Sequence, residues 1–143
     1  MTEKNSTEDC IFCRIAKGEI PSVKVWEDDK HLAILDIRPN TEGMTLVIPK
    51  EHYNSDPTEM PDEQYSELMI AAKKVAIILK EKLGVGKVAS VLEGLGVNHI
   101  HVKLYPIYPS DEKEGYITTQ LGPQKSTEEL NEIAEKIRGK DGN

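Results

Sequence analysis

Residues 98–104 have the sequence Asn-His-Ile-His-Val-Lys-Leu, in which polar and apolar side chains alternate. Successive side chains of a β-strand point to opposite faces, so this alternation predicts a strand over His99 to Leu104. The apolar side chains then face the core, and three polar ones project together from the other face, roughly 6.5–7 Å apart: His99, His101 and Lys103. Two imidazoles and an ammonium pack poorly in a core but suit the binding of an anion.

The polar face of this predicted strand has three open interpretations. Histidines are often ordinary packing or surface residues, and two histidines two residues apart can also bind one metal ion together. An anion site is the third interpretation, because the preceding loop, residues 93–97, contains Gly94 and Gly96. Glycine lacks the Cβ atom and lets backbone N–H groups come close to a phosphate, although tight turns use the same residues.

The chain has two cysteines, Cys10 and Cys13. A C-x-x-C pair is typical of half a zinc site or of a redox dithiol, and it can also be incidental. A redox pair usually follows a strand and opens a helix, whereas only a polar segment precedes this pair. Zinc is therefore the favoured interpretation, and the other two ligands would have to come from the four histidines.

The rest of the chain predicts an α+β domain with a mostly antiparallel, five-stranded sheet and one long helix. A helical hydrophobic period from Tyr65 to Leu83 predicts that this long helix, over 62–83, packs on the core. Turn residues 27–30 are expected to join the first two strands in a hairpin. The other predicted elements are strands over 22–26, 31–37, 44–48 and 87–92, an edge strand over 116–121, a short helix within 10–16 and a capped helix over 126–138.

Length and composition bound the classes of function. The 143 residues suit one domain, for which we expect a disordered tail over 1–9, a body over 10–109 and a C-terminal extension over 110–143. Lys and Arg number 18 against 25 Asp and Glu, a net charge of −7, which argues against a nucleic-acid or anionic-membrane binder. No apolar stretch approaches the roughly 20 residues of a membrane helix, and no secretory signal is recognisable, so we expect a cytoplasmic protein.

Four segments in order resemble the histidine triad (HIT) family of nucleotide-binding proteins. The alternation in 99–106 resembles the family signature His-φ-His-φ-His-φ-φ, where φ is apolar. Segments 10–21, 32–39 and 43–52 resemble the family's N-terminal segment, its nucleoside-binding strand and the strand that follows. The resemblance covers residues 10 to about 109 and implies a HIT-like fold.

The resemblance to zinc-containing prokaryotic members implies one structural zinc site. Its ligands would be Cys10, Cys13, His52 and His99. A Cys₂His₂ set closes a tetrahedral site, which is the structural arrangement rather than the catalytic one. His101 would then stay free beside the metal-bound His99, and His31, which lies in no motif, is expected to be an exposed hairpin residue.

The resemblance also implies roles at a purine nucleotide. His101 matches the family's nucleophile, which attacks the α-phosphorus, and Asp36 matches the acid that binds the ribose hydroxyls. The third triad position is Lys103 instead of His, so charge stabilisation is kept but proton exchange with the leaving group is lost. The family's Gly-Gln-Ser loop is absent, and Asn98 with the Gly96 loop amides would partly replace it. The apolar residues expected around the base, or simply in the core, are Ile11, Phe12, Ile15, Ile34, Ile37 and Leu46.

Three functions remain open at this stage. The favoured one is a nucleotidyl hydrolase or transferase acting on nucleoside phosphoramidates or dinucleoside polyphosphates through a nucleotidyl-histidine. The second is a nucleotide-binding module with weak or no catalysis, and the third is a zinc-stabilised interaction protein. Turnover, nucleotide binding and folding on chelation separate them. The family commonly forms two-fold dimers through its long helix and sheet edge, so a homodimer around residues 62–83 is expected.

Overall fold

The computed structural model describes residues 9–110 and 118–139, and its core is one antiparallel sheet of five strands in the order β1-β2-β3-β5-β4. The α+β prediction is therefore confirmed. The elements are α1 Ile11–Ala16, β1 Lys24–Glu27, β2 His31–Leu35, β3 Thr45–Pro49, a 3₁₀ turn Pro57–Glu59, α2 Asp62–Leu83, β4 Lys87–Val91, β5 Val102–Ile107 and α3 Thr127–Arg138.

Helix α2 covers one face of the sheet over the predicted range 62–83. Acidic side chains lie in its first turn and lysines in its last, which suits the helix dipole, and Gly84 ends it in the left-handed conformation with φ 70°. Its buried residues pack against the sheet: Leu68, Ala71, Ala72, Val75 and Leu79. The prediction that Tyr65 belongs to this stripe is wrong, because at 39% exposure it lies at the rim of the helix.

Helix α3 belongs to the same core. Ser126 and Glu129 form the predicted capping box, and the helix buries Leu130, Ala134 and Ile137. In the described part of the chain, none of the helices is long and apolar enough to cross a membrane. The predicted edge strand over 116–121 is wrong for residues 118–121, which run as irregular backbone, and residues 116 and 117 lie outside the described part. The predicted tail also lies outside it, apart from Asp9.

Strand β5 begins three residues later than predicted, at Val102. The two histidines before it have left the ladder, because the N–H of His99 closes a turn on Val97 and the N–H of Ile100 donates to the Tyr53 carbonyl. The alternation survives in the burial pattern: Ile100 joins the helix-side core, while the side chains of His99 and His101 lie on the other side.

The expectation that His31 is exposed is also wrong, since only 5% of it is accessible. The turn residue Asp28 folds back over it: the Asp28 carboxylate accepts from the His31 backbone N–H at 2.7 Å and lies 3.1 Å from ring Nδ1. The imidazole is therefore part of the hairpin structure. Sequence pattern did not indicate this role, because His31 lies in no motif.

Candidate functional site

Helix α1 brings the two cysteines to one side of a short turn. Cys10 is the N-cap, and its Sγ accepts from the Cys13 N–H at 3.4 Å, so both sulfurs face the sheet. His52 follows β3, and His99 precedes β5. The four potential ligand atoms of these residues all lie within 4.8 Å of one another, so the predicted set forms a possible metal site.

The spacing within this cluster fits a zinc ion. Cys10 Sγ lies 3.2 Å from His99 Nδ1, and Cys13 Sγ lies 3.2 Å from His52 Nδ1 and 3.5 Å from His99 Nδ1. Ordinary Zn–S and Zn–N bonds at the tetrahedral angle place a sulfur and a nitrogen about 3.6 Å apart. The cluster is therefore preorganised for a four-coordinate ion, and two thiolates with two imidazoles are a donor set that zinc prefers.

The tautomer of His99 suits this role. Its Nε2–H donates to the Pro49 carbonyl at 2.8 Å, which leaves the Nδ1 lone pair directed at the cysteines. Burial lowers the pKa of His99 to about 4, so the ring is neutral at ordinary pH. A carbonyl acceptor of this kind is the usual way in which a metal-binding imidazole is oriented.

The metal-free Cys13 thiol holds its proton. Burial, with a hydrogen bond to Cys10 and the charge of Cys10, raises the pKa of Cys13 to about 11. A bound zinc ion would stabilise both thiolates and tie α1, the segment after β3 and the segment before β5 together.

His101 lies next to the cluster and is held by a different contact. Its Nδ1–H donates to the His99 carbonyl at 2.8 Å, and the Phe12 ring packs edge-on with a centroid distance of 5.3 Å. Burial lowers the pKa of His101, and the nearby Lys103 charge acts in the same direction. The tautomer set by this hydrogen bond leaves Nε2 with its lone pair, which is the form that a nucleophile or a base requires.

Lys103 does not stand as a free cation. Its ammonium donates to Glu93 Oε2 at 2.9 Å, and the two side chains are only 10% and 20% accessible. Although burial would raise it, the pKa of Glu93 is lowered because Lys103 donates to the carboxylate and attracts it. The charge that the sequence places at the third triad position is therefore balanced within the protein.

The loop from Glu93 to Asn98 is fixed on Ser55. Gly94 has φ +76°, and a Cβ atom there would lie 2.7 Å from the Ser55 carbonyl oxygen, so both its conformation and its surroundings require glycine. Asn98 Oδ1 accepts from the Ser55 N–H at 2.9 Å. Gly96 is exposed, with φ +96° and open space around it. Asn98 is thus engaged in holding the loop.

The structure brings most of the predicted base-contact residues together on the site face. Four of them belong to, or pack on, the apolar cluster there: Phe12, Ile15, Ile34 and Leu46. Ile11 and Ile37 are instead 44% and 54% exposed. Asp36 lies at the end of β2, where its Oδ1 accepts from the Arg38 N–H at 2.8 Å.

Sequence reasoning did not assign a role to Glu93 or Tyr105. Among the described residues, three buried side-chain atoms have no hydrogen-bond partner: Glu93 Oε1, the Tyr105 hydroxyl and Nε2 of the zinc-site residue His52. Burial, with the charges of Glu93 and Asp36, raises the pKa of Tyr105 to about 12. An inward-facing lysine on a strand signals a carboxylate nearby, so Lys103 could have pointed to Glu93, whereas Tyr105 looked like any apolar strand residue.

Comparison with known proteins places this arrangement among relatives. The HIT domain family matches residues 17–109. The chain is 39% identical over 139 residues to an uncharacterised HIT-like protein of Methanocaldococcus jannaschii, with 91% of this chain and 99% of that protein covered. It is 35% identical over 132 residues to an adenosine 5′-monophosphoramidase of Saccharomyces cerevisiae, covering 92% and 82%. A zinc-bound histidine triad family protein from Mycobacterium smegmatis has a similar crystal structure, with TM-score 0.77, 29% identity and 93% of each chain covered.

Proposed function

The chain belongs to the HIT domain family, and from that premise we propose that it is a nucleotidyl hydrolase or transferase acting at the α-phosphate of a purine nucleotide. The observation that carries the proposal is the environment of His101: a buried, neutral imidazole whose Nδ1–H is held by the His99 carbonyl. The similarity to an adenosine 5′-monophosphoramidase supports a nucleoside phosphoramidate as substrate, and dinucleoside polyphosphates remain the other substrate class.

In the first step, the Nε2 lone pair of His101 attacks the α-phosphorus. The bond from phosphorus to the amine nitrogen breaks, and the amine leaves with the electron pair and a proton from solvent. The product is a nucleotidyl-His101. The hydrogen bond to the His99 carbonyl supports this step because it stabilises the positive charge that develops on the ring.

In the second step, a water molecule attacks the same phosphorus. The water oxygen bonds to phosphorus and its proton passes to solvent. The bond between phosphorus and Nε2 breaks, its electron pair returns to His101, and the nucleoside monophosphate leaves. We assign the ribose hydroxyls to the Asp36 carboxylate and the base to the apolar group around Phe12 and Ile34, which lie on the same face. Lys103 would stabilise phosphoryl oxygens, and the amides of the 93–98 loop would hold the phosphate together with Asn98.

A second candidate is a nucleotide-binding module with weak catalysis. The ion pair between Lys103 and Glu93 favours it, because a cation already neutralised by a carboxylate offers less to a phosphoryl group. In that case the residues that bind the nucleotide and the zinc site are retained, and turnover is lost.

We also propose a homodimer through α2 and the neighbouring sheet edge. Ile70 and Ile77 are seven residues apart on the side of α2 that does not pack on the sheet, and they are 56% and 46% exposed. Strand β4 is an edge of the sheet. Light scattering on the purified protein should give twice the chain mass.

We also propose a cytoplasmic location, because a reducing compartment suits the two unpaired cysteines of the zinc cluster.

The experiment that tests the catalytic proposal is single-turnover trapping with adenosine 5′-phosphoramidate. Rapid acid quench and intact-protein mass spectrometry should find one adenylyl group on the wild-type chain, mapped to His101 in a peptide digest. The matched control is His101→Ala, which removes the nucleophile while leaving the four zinc ligands. We expect its turnover to fall by about 10³-fold or more, with AMP binding retained.

The outcomes separate the candidates. Adenylylation of His101 supports the enzyme. AMP binding in calorimetry without adduct or turnover supports the binding module. A zinc-loaded protein that binds no nucleotide contradicts both and leaves an interaction protein that zinc stabilises.

A further inference from the structure

Residues 118–125, which lead into helix α3, run along the loop that follows β2. The Asn40 side chain donates to the carbonyls of Thr118 and Gln120 at 2.6 and 2.9 Å. The Lys125 N–H donates to the Ile37 carbonyl at 2.8 Å. We call residues 118–125 the strap, because this segment joins the loop after β2 to α3, which packs on the helix side of the sheet.

The closest approach of the strap is at Gly122. Its N–H donates to the Arg38 carbonyl at 3.1 Å, and its own carbonyl accepts from Arg38 Nε at 3.0 Å. A Cβ atom on Gly122 would clash with the Pro39 carbonyl oxygen and would lie 2.9 Å from the Pro39 carbonyl carbon and 3.1 Å from Asn40 Cα. The requirement for glycine here comes from the space that the loop leaves, and not from a left-handed backbone.

Arg38 connects the strap to Asp36. The Arg38 N–H donates to Asp36 Oδ1 at 2.8 Å. Gly122 binds the same residue twice, through the Arg38 carbonyl and through the guanidinium. The Asp36 N–H donates to the Met44 carbonyl at 3.1 Å, and Pro39 is buried, but Ile37 and Arg38 between them are exposed. The exposed part of the loop, which carries the N–H that binds the Asp36 carboxylate, is therefore held by the contacts of Arg38 with Gly122. A carboxylate that accepts from substrate hydroxyls loses much of its effect when displaced by about 1 Å.

We propose that the strap is a positioning element for the nucleoside end of the site, and that Gly122 acts through Arg38 to hold the Asp36 carboxylate where it binds the ribose hydroxyls. The proposal rests on the function proposed above. It assigns to the C-terminal extension a role in sugar selectivity that is separate from the packing of α3. Gly122 itself touches no substrate and is a positioning residue.

The experiment measures sugar selectivity by titrating the zinc-loaded, full-length protein with AMP and with 2′-deoxy-AMP in a calorimeter. The variant is Gly122→Ala. The matched control is Gly86→Ala, because Gly86 has open space around it and an ordinary backbone conformation. Asp36→Ala serves as the reference for complete loss of the carboxylate. Circular dichroism and zinc content are measured on every variant.

We expect the wild type and Gly86→Ala to prefer AMP by about tenfold or more, since a hydrogen bond to a charged group contributes that much. Asp36→Ala should bring the ratio of the two affinities close to one. Gly122→Ala should lower the ratio by about threefold to tenfold with unchanged zinc content, because the carboxylate is misplaced but present.

A purely structural role would weaken both ligands equally. The inference is therefore overturned if Gly122→Ala keeps the wild-type ratio, whether or not its affinities fall. It is also overturned if Asp36→Ala keeps the ratio while the wild type binds AMP, because the carboxylate then plays no part in sugar recognition. Failure of the wild type to bind AMP at all contradicts the proposed function itself, and this outcome is distinct from the other two.

Discussion

The two faces of the sheet are built on opposite chemical plans. On the helix side, the buried residues contributed by the sheet, α2 and α3 form one apolar cluster. On the site side, apolar residues surround two thiols, two buried histidines and a buried ion pair. The helix side gains stability from apolar area alone, whereas on the site side each polar group that is buried costs free energy unless a partner compensates it.

The difference shows how one sheet serves stability and chemistry at once. Alternation along β5 sends Val102 and Leu104 into the helix-side core and Lys103 into the site, so the same strand anchors both. The polar face is stabilised by specific partners: Pro49 for His99, the His99 carbonyl for His101 and Glu93 for Lys103. Because these contacts are specific, the contribution of the site face to stability should depend on bound metal and on pH. The contribution of the helix face should depend on the volume of its buried side chains.

The largest expected effect on stability is removal of zinc. A ligand that binds only the folded state at a thousandfold excess over its Kd contributes about 4 kcal/mol to the free energy of unfolding. Chelation of the wild type should therefore lower that free energy by about this amount, measured by urea denaturation with and without added zinc. Cys13→Ser should have the same low stability in both conditions. A wild type that is equally stable with and without zinc would contradict the structural role of the ion.

The next largest effect on stability is expected from a cavity in the helix-side core. Leu68 is fully buried against the sheet, so Leu68→Ala is expected to cost about 3 kcal/mol through lost transfer energy and the cavity left behind. Well below the melting temperature, zinc content and AMP affinity should stay at wild-type values. The control is Glu132→Ala on the exposed side of α3, which should cost under about 0.5 kcal/mol. A loss of zinc in Leu68→Ala would show that the two faces are not independent.

The smallest of the three effects concerns the ion pair on the site face. The pKa of Glu93 is depressed in the folded protein, so its contribution to stability is present above its unfolded value near 4.5 and is lost as the pH falls through the lower folded value. Glu93→Gln should cost about 1–2 kcal/mol at neutral pH, between the values for exposed and buried pairs.

The difference in unfolding free energy between wild type and Glu93→Gln should shrink as the pH is lowered from about 7 to about 3. Both proteins release zinc in acid, so subtracting one from the other isolates the carboxylate. Combination with Lys103→Met in a double-mutant cycle measures the pair itself. A difference that grows towards acid pH would have the wrong sign and would reject the pairing.

Much of this could be predicted from local pattern. The helical hydrophobic repeat over the 22 residues of α2, the capping box of α3 and the strand alternation are short-range signals, and the structure confirms the elements they indicate. The zinc set was inferred by family resemblance, because four ligands spread over 89 positions have no local signature. The errors at His31 and at the start of β5 arose where a side chain or a backbone N–H found a distant or unexpected partner.

By itself, then, the sequence determined the α+β class, the alternation that separates an apolar face from a polar one, and the residue types of the site. Only the tertiary structure decided which polar group meets which: Glu93 with Lys103, the Pro49 carbonyl with His99, and Gly122 with Arg38. Alternation sets the face on which a side chain lies, but its partner depends on strand order and on where loops return. Two cysteines and two histidines become one candidate zinc site only because the chain folds their segments together within 4.8 Å.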